Sequence, residues 1–325
     1  VIDSAYSSSW RAKLPKLLER RCVELDVTGP MDKILMLLVA IVAGFAVHGA
    51  PAAGATPTIA AVGDVACAPG SRTTPVGCRE RAVADAIARV DPDSLWLLGD
   101  IQYPYGSLEA FTRSFGPAFE RFRSIWHPVP GNHEYLTPGA AGYFAFFGAA
   151  AGRADRGYQS FDVGRWHVVA LNSNCEFVAC DAASAQAKWL RADLRRHPQR
   201  CTAALWHHPR YSSSSGHGDD PRTSALWRIL QAHRAEFVLS GHDHDFEAFA
   251  RQDETSRADR TGLQQFVVGT GGFGAYGFRA ARPNSIARRD GRFGFLSMTL
   301  RARSYSWRFI GEDGARLAAG SARCH

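Results

Sequence analysis

Beyond residue 55 the chain is almost without lysine: Lys188 stands alone, and arginine carries nearly all the positive charge. No basic run with interleaved aromatics occurs. The formal net charge of +7 is therefore read as a solvated arginine surface that attracts anions at long range, and dedicated nucleic-acid binding is not supported. No apolar run reaches the roughly 18 to 20 residues that a spanning helix needs, so no stable membrane anchor is expected. The absence of any Cys-x-x-Cys pair argues against a structural zinc site. There is no Gly-x-Ser-x-Gly elbow for a serine nucleophile. Repeats, heptads and long low-complexity tracts are missing as well, which excludes solenoids and coiled coils.

What remains is a chain of 325 residues, 46% of them hydrophobic, enough for one large domain or two modest ones. Its beginning reads as targeting. Met31-Asp32-Lys33 gives a cationic start, residues 34–47 an apolar stretch, and Ala53-Gly54-Ala55 a small-residue cleavage site. This pattern predicts a secretory signal peptide over residues 31–55, cleaved after Ala55, and a secreted or periplasmic protein. Because a signal peptide begins near the initiator, residues 1–30 are expected to be a mis-assigned upstream extension. Residues 56–325 are left as the folded domain in which any active site must lie.

Cysteine usage agrees with export. Apart from Cys22 there are six: Cys67, Cys78, Cys175, Cys180, Cys201 and Cys324. An even number in an exported chain points to disulfides. Spacing favours Cys67–Cys78 and Cys175–Cys180 as loop staples, with Cys201–Cys324 fastening the tail.

From residue 58 onward, strand and helix patterns alternate. Strands are predicted at 58–64, 94–100, 124–134, 158–172 (a hairpin about Gly164-Arg165), 201–208, 237–242 and 264–272, with a closing hairpin in the tail. Helices are predicted near 79–89, 108–122, 184–196 and 224–233. Strands joined by helices, together with antiparallel hairpins, imply an α/β mixed sheet system covered by helices.

Five short clusters close five of those strands. They are Gly63-Asp64, GDIQY at 99–103, GNHE at 131–134, His207-His208-Pro209, and GHDH at 241–244. Ligands in open α/β sheets bind beyond the carboxyl ends of strands, where all five clusters fall. Taken singly, Asp64 reads as a turn residue and Asn132 as an αL residue after glycine. Together they bring carboxylates, an amide oxygen, a phenol and imidazoles to one rim, a donor set suited to two hard or borderline cations.

The order of clusters resembles the calcineurin-like metallophosphoesterase superfamily, and in particular its purple acid phosphatase-like branch, over about residues 58–308. That resemblance implies a four-layer α/β/β/α sandwich of two mixed β-sheets flanked by helices. It assigns Asp64, Tyr103 and His244 to a first metal, Asn132, His207 and His242 to a second, and Asp100 as the bridge. Many superfamily members carry a histidine where this chain has Ala66; GDxxY marks the branch in which a tyrosinate, here Tyr103, binds ferric iron. His207 is preferred over His208 because Ala204, His207 and Pro209 fit the family pattern. His133 and His217 are the expected catalytic histidines, while His127, His167 and His197 are read as structural. The implied cofactors are Fe(3+) with a divalent zinc, manganese or iron. The implied reaction is hydrolysis of a small phosphomonoester by water that the metals activate. A phosphodiesterase, or a non-catalytic metal- or phosphate-binding protein on the same scaffold, are the alternatives.

Overall fold

The computed structural model describes residues 56–199 and 201–325. The extension expected over 1–30 and the signal peptide expected over 31–55 lie outside the described residues.

Strands β1 (Thr58–Val62), β2 (Ser94–Leu97) and β3 (Trp126–Pro128) run parallel, side by side. Parallel neighbours need a crossover. The helix Glu80–Val90 supplies the first, and a helical run over 108–122 supplies the second. That run is not the regular helix expected. A π turn over Phe111–Phe115 gives way to Gly116–Phe119 and then to a 3₁₀ turn, with Pro117, which has no N–H to donate, just past the π turn. β3 is also shorter than the predicted 124–134 segment. Pro128 and Pro130 withhold ladder donors, and Asn132–Tyr135 turns into a short helix.

The chain then builds a second sheet. β4 (Gln159–Val163) and β5 (Trp166–Ala170) form the expected hairpin, with Gly164 at φ +60° in its turn. β6 (Cys201–Leu205) and β7 (Phe237–Ser240) extend it in parallel, with helices Ala185–Arg196 and Ser224–Ala232 on the crossovers. β8 (Phe246–Phe249), β9 (Gln264–Val268) and β10 (Ser285–Arg289) complete the order β10-β8-β9-β7-β6-β5-β4. Finally β11 (Gly294–Arg301), β12 (Ser304–Gly311) and β13 (Arg316–Arg323) return to the first sheet, ordered β13-β12-β11-β1-β2-β3.

The period of two in β1 shows how the layers are made. Ile59 and Ala61 pack between the sheets with Trp96, Leu239, Phe266 and Trp307. Ala60 and Val62 face the other way, onto Val83 and Ile87 of the first helix. On the far side, Val169, Ala204 and Val238 carry Leu190 and Trp227 of the other two helices. The result is four layers, helix–sheet–sheet–helix. At one rim the sheets are tied directly: Gly63 N–H donates to Val268 O at 2.9 Å, and Gly271 N–H donates to Gly63 O at 2.9 Å.

The six cysteines pair as the spacing suggests. Cys67–Cys78, Cys175–Cys180 and Cys201–Cys324 have Cα–Cα separations of 5.4, 5.2 and 5.6 Å, inside the range that a disulfide spans. The last joins the start of β6 to the segment after β13. Among the described residues, no helix is long and apolar enough to cross a membrane.

Candidate metal centre

β1, β2, β3, β6 and β7 all end at the same rim, and each is followed within a few residues by one of the five clusters. The chain leaves these strands through backbone that ordinary residues avoid. Asp64, Asp100 and His242 have φ of 60°, 46° and 73°. Non-glycine residues held in sparsely populated backbone cost about 1–3 kcal/mol each and persist only where the surroundings over-determine them. Three such residues in one pocket direct attention there. The adjoining glycines are needed for space: Gly99 itself has φ +83°, and a Cβ on Gly131 would overlap the Asp100 carboxylate.

Seven side chains meet at this rim, in two groups. The Tyr103 hydroxyl lies 2.8 Å from Asp64 Oδ1, 3.0 Å from Asp100 Oδ2 and 3.0 Å from His244 Nε2. His207 Nε2 lies 3.2 Å from Asn132 Oδ1, 3.2 Å from His242 Nδ1 and 3.3 Å from Asp100 Oδ2. Asp100 is thus the one residue common to both groups. A phenol has a single proton to share among three neighbours, and the second group likewise gathers more lone pairs than protons. Such convergence of oxygen and nitrogen lone pairs, most of them buried, fits a cation in each group.

The electrostatics point the same way. Burial alone would raise Asp100, but His207, His133 and His242 outweigh it and hold the carboxyl well below its usual range. Burial alone would lower His207, yet the contact with Asp100 wins and lifts the imidazole to about 9. Burial, reinforced by Asp100 and Asp64, pushes the Tyr103 hydroxyl well above the ordinary phenol range. This is a pocket whose carboxylates pull positive charge inward, whether as a proton or as a metal ion, and a metal ion would reverse the push on Tyr103.

Several supporting groups were not among the residues singled out from the sequence. Glu134 is fully buried and accepts four backbone N–H bonds: from Gly131 at 2.7 Å, Asp100 at 2.9 Å, Ile101 at 2.9 Å and Gln102 at 3.2 Å. It therefore fixes the turn that carries Asp100. Phe273 stacks on Tyr103 with centroids 3.5 Å apart, and Tyr276 stacks on His244 at 4.1 Å. Glu134 lay in plain view in the GNHE cluster; Phe273 and Tyr276 sit in a loop with no pattern to mark them.

The remaining histidines sort by position. His207 Nδ1 is tied to Leu98 O at 2.8 Å, which leaves Nε2 for the pocket. His208 instead turns Nδ1 to Ser173 Oγ at 2.9 Å, and its ring lies 4.5 Å from that of His242. His133 borders the first group, with Nε2 3.9 Å from Asp100 Oδ2 and its ring 4.2 Å from Tyr103. His217 is exposed at the rim, stacked on His242 at 4.1 Å. His127 stacks on Phe161, whereas His167 and His197 gather around Asp193.

Residues 57–246 match the family described as calcineurin-like phosphoesterase. Purple acid phosphatase 15 of Arabidopsis thaliana is 26% identical over 217 residues, covering 56% of this chain and 40% of that protein. Purple acid phosphatase 22 of the same plant is 36% identical over 121 residues, 35% of this chain and 27% of that protein. The match thus spans less than half the length of these curated relatives. Among solved structures, the purple acid phosphatase PPD1 isolated from yellow lupin (Lupinus luteus) seeds superposes with a TM-score of 0.71 at 18% identity, covering 82% of this chain and 54% of that one. At that identity the superposition speaks for the fold. With the family match over more than half its length, the chain belongs to the calcineurin-like phosphoesterase family, and within it is similar to purple acid phosphatases.

Proposed function

We propose that the chain is an exported phosphatase that hydrolyses small phosphomonoesters at a two-metal centre. The observation that carries this reading is the convergence of seven donors from five strand ends into two groups joined by Asp100. On this reading Asp64, Tyr103 and His244 would hold one cation, Asn132, His207 and His242 would hold the other, and Asp100 would be available to both. Tyr103 favours ferric iron in the first position, with zinc, manganese or iron(II) in the second. When bound, such a pair supplies Lewis acidity toward phosphate oxygens and brings the pKa of water toward neutrality. Three disulfides support an oxidising compartment, and with it the export reading.

The chain's own residues orient the ester and handle protons. His133 Nδ1–H donates to Pro104 O at 2.7 Å, so its Nε2 is the nitrogen that faces Asp100. From there a protonated Nε2 can donate to a phosphoryl oxygen or to the departing alkoxide. His217, stacked on His242 of the second group, would contact phosphoryl oxygens there. Glu134 keeps Asp100 in its left-handed backbone and so preserves the bridge.

The test is Asp100→Asn, which conserves volume and removes one anionic oxygen. Metal content is expected to fall below two ions per chain. Turnover of para-nitrophenyl phosphate should drop by roughly 10²–10³-fold or more, with an unchanged circular dichroism spectrum. Full turnover in that variant would refute the assignment. A wild type that binds metal yet turns over none of a panel of mono- and diesters would instead mark a binding protein.

A further inference from the structure

Asp243 lies between His242 and His244, is completely buried, and belongs to neither donor group. Its Oδ1 accepts the backbone N–H of His217 at 2.9 Å, and its Oδ2 accepts that of Gly218 at 3.2 Å. Two successive amides on one carboxylate form a small anion clamp, and Gly218, at φ +89°, supplies the turn that aims them. The side chain of His217 is held at the same time from the other side, by stacking on His242.

The rest of this loop is anchored to nearby segments. Buried Glu247, four residues beyond Asp243, accepts the N–H of Ser213 at 2.7 Å and its hydroxyl at 2.6 Å. Ser215 N–H donates to Gly277 O at 2.8 Å. Gly216 presses so closely on the ring of Tyr276 that a Cβ there would overlap it, and Tyr276 in turn stacks on His244. These contacts shape the loop as a whole; Asp243 is the group that grips the backbone of His217 itself.

We propose that Asp243 is a positioning residue, whose carboxylate locks the His217–Gly218 backbone to the His242–His244 segment. The strand end that presents two metal-directed imidazoles thereby also builds the loop that meets the phosphate. The inference rests on the reading of His217 as a phosphate contact, and its consequences reach beyond turnover. Replacement by asparagine keeps the shape but leaves one acceptor oxygen for two amides, and sets an N–H against the other.

The experiment compares wild type, Asp243→Asn, His217→Ala and the double variant, all metal-loaded, by hydrogen–deuterium exchange over residues 210–221 and by steady-state kinetics on para-nitrophenyl phosphate. In Asp243→Asn the amides of His217 and Gly218 are expected to exchange at least about tenfold faster, with metal content unchanged. Each single variant should lower kcat/KM by about tenfold or more, and the double variant should fall no further than His217→Ala alone. Asp243→Ser, too short to reach both amides, should behave like Asp243→Asn and serves if the latter does not fold. Unaltered exchange, additive kinetic losses, or loss of metal from the Asp243 variants would overturn the proposal. Should the wild type hydrolyse no ester, the phosphatase reading fails, and the exchange measurement still decides whether Asp243 clamps the loop.

Discussion

His207 and His208 are adjacent and chemically identical, and both stand beside His242, close enough for the three imidazoles to share a cation, yet they differ in what else they bond. His207 Nε2 meets Asp100, Asn132 and His242, whereas His208 is committed to Ser173, whose hydroxyl also accepts the backbone N–H groups of both histidines. Removing a supporting group around a metal costs about 10–100-fold in affinity or activity, and removing a direct ligand costs more. His208→Ala is therefore expected to keep its metal and lose about tenfold in turnover, while His207→Ala loses metal and more than about 100-fold. Metal analysis of the two variants checks this, and a metal-free His208→Ala would reverse the roles. The seven side chains were legible because each follows a strand end within a few positions, and because Tyr103 offers a donor where Ala66 offers none. The supporting roles of Glu134, Ser173 and Asp243 were not. Each acts by accepting backbone N–H bonds from another segment, and no residue pattern records such a partner.

At the level of elements, the buried parallel strands were readable from apolar runs that end in glycine, and the helices from their apolar faces. Misreadings arose where proline or low hydrophobicity intervened. The Pro128 and Pro130 pair cut β3 short, and β13 is an edge strand of mostly exposed or half-buried residues. A different feature was also hidden, in the contact between β5 and the helix Ala185–Arg196. His167, buried in β5, bonds Asp162 through Nδ1 and Asp193 through Nε2, each at 2.8 Å. Burial alone would lower His167, but the two carboxylates outweigh it and raise the imidazole above its ordinary value. Burial alone would raise Asp193, but the bonds from His167 and Ser160 hold it down. By linkage, the His167 contribution is complete below the unfolded value of about 6.5 and is lost as pH rises through the folded value. That of Asp193 is complete above about 3.9 and is lost on acidification through its lowered value. The gap in unfolding free energy between wild type and His167→Gln should therefore be widest below about pH 6.5 and above the acid range in which Asp193 protonates, and should narrow as pH rises through the raised His167 value. Denaturant titrations across that range test it, and a gap independent of pH would show that the triad is neutral packing.

For the molecule as a whole, the two sheets act as halves of one vice. The first sheet delivers Asp64, Asp100, Tyr103 and Asn132, and the second delivers His207, His242 and His244, so neither sheet alone carries a complete group. The direct ties through Gly63 hold the halves together at the rim where they must meet. The Cys67–Cys78 staple closes the loop just after Asp64, and Cys201–Cys324 fastens the segment after β13 of one sheet to β6 of the other. A four-layer sandwich follows from such a division of labour, and it was legible chiefly through the motif order that divides the donors. Metal quantification paired with an absorption spectrum, on exported wild type and on Tyr103→Phe, tests the central claim most directly. The account predicts two ions per wild-type chain, one of them iron, and a visible band that disappears with the phenol oxygen. A fully active wild type holding fewer than two ions, or a band untouched by Tyr103→Phe, would contradict it.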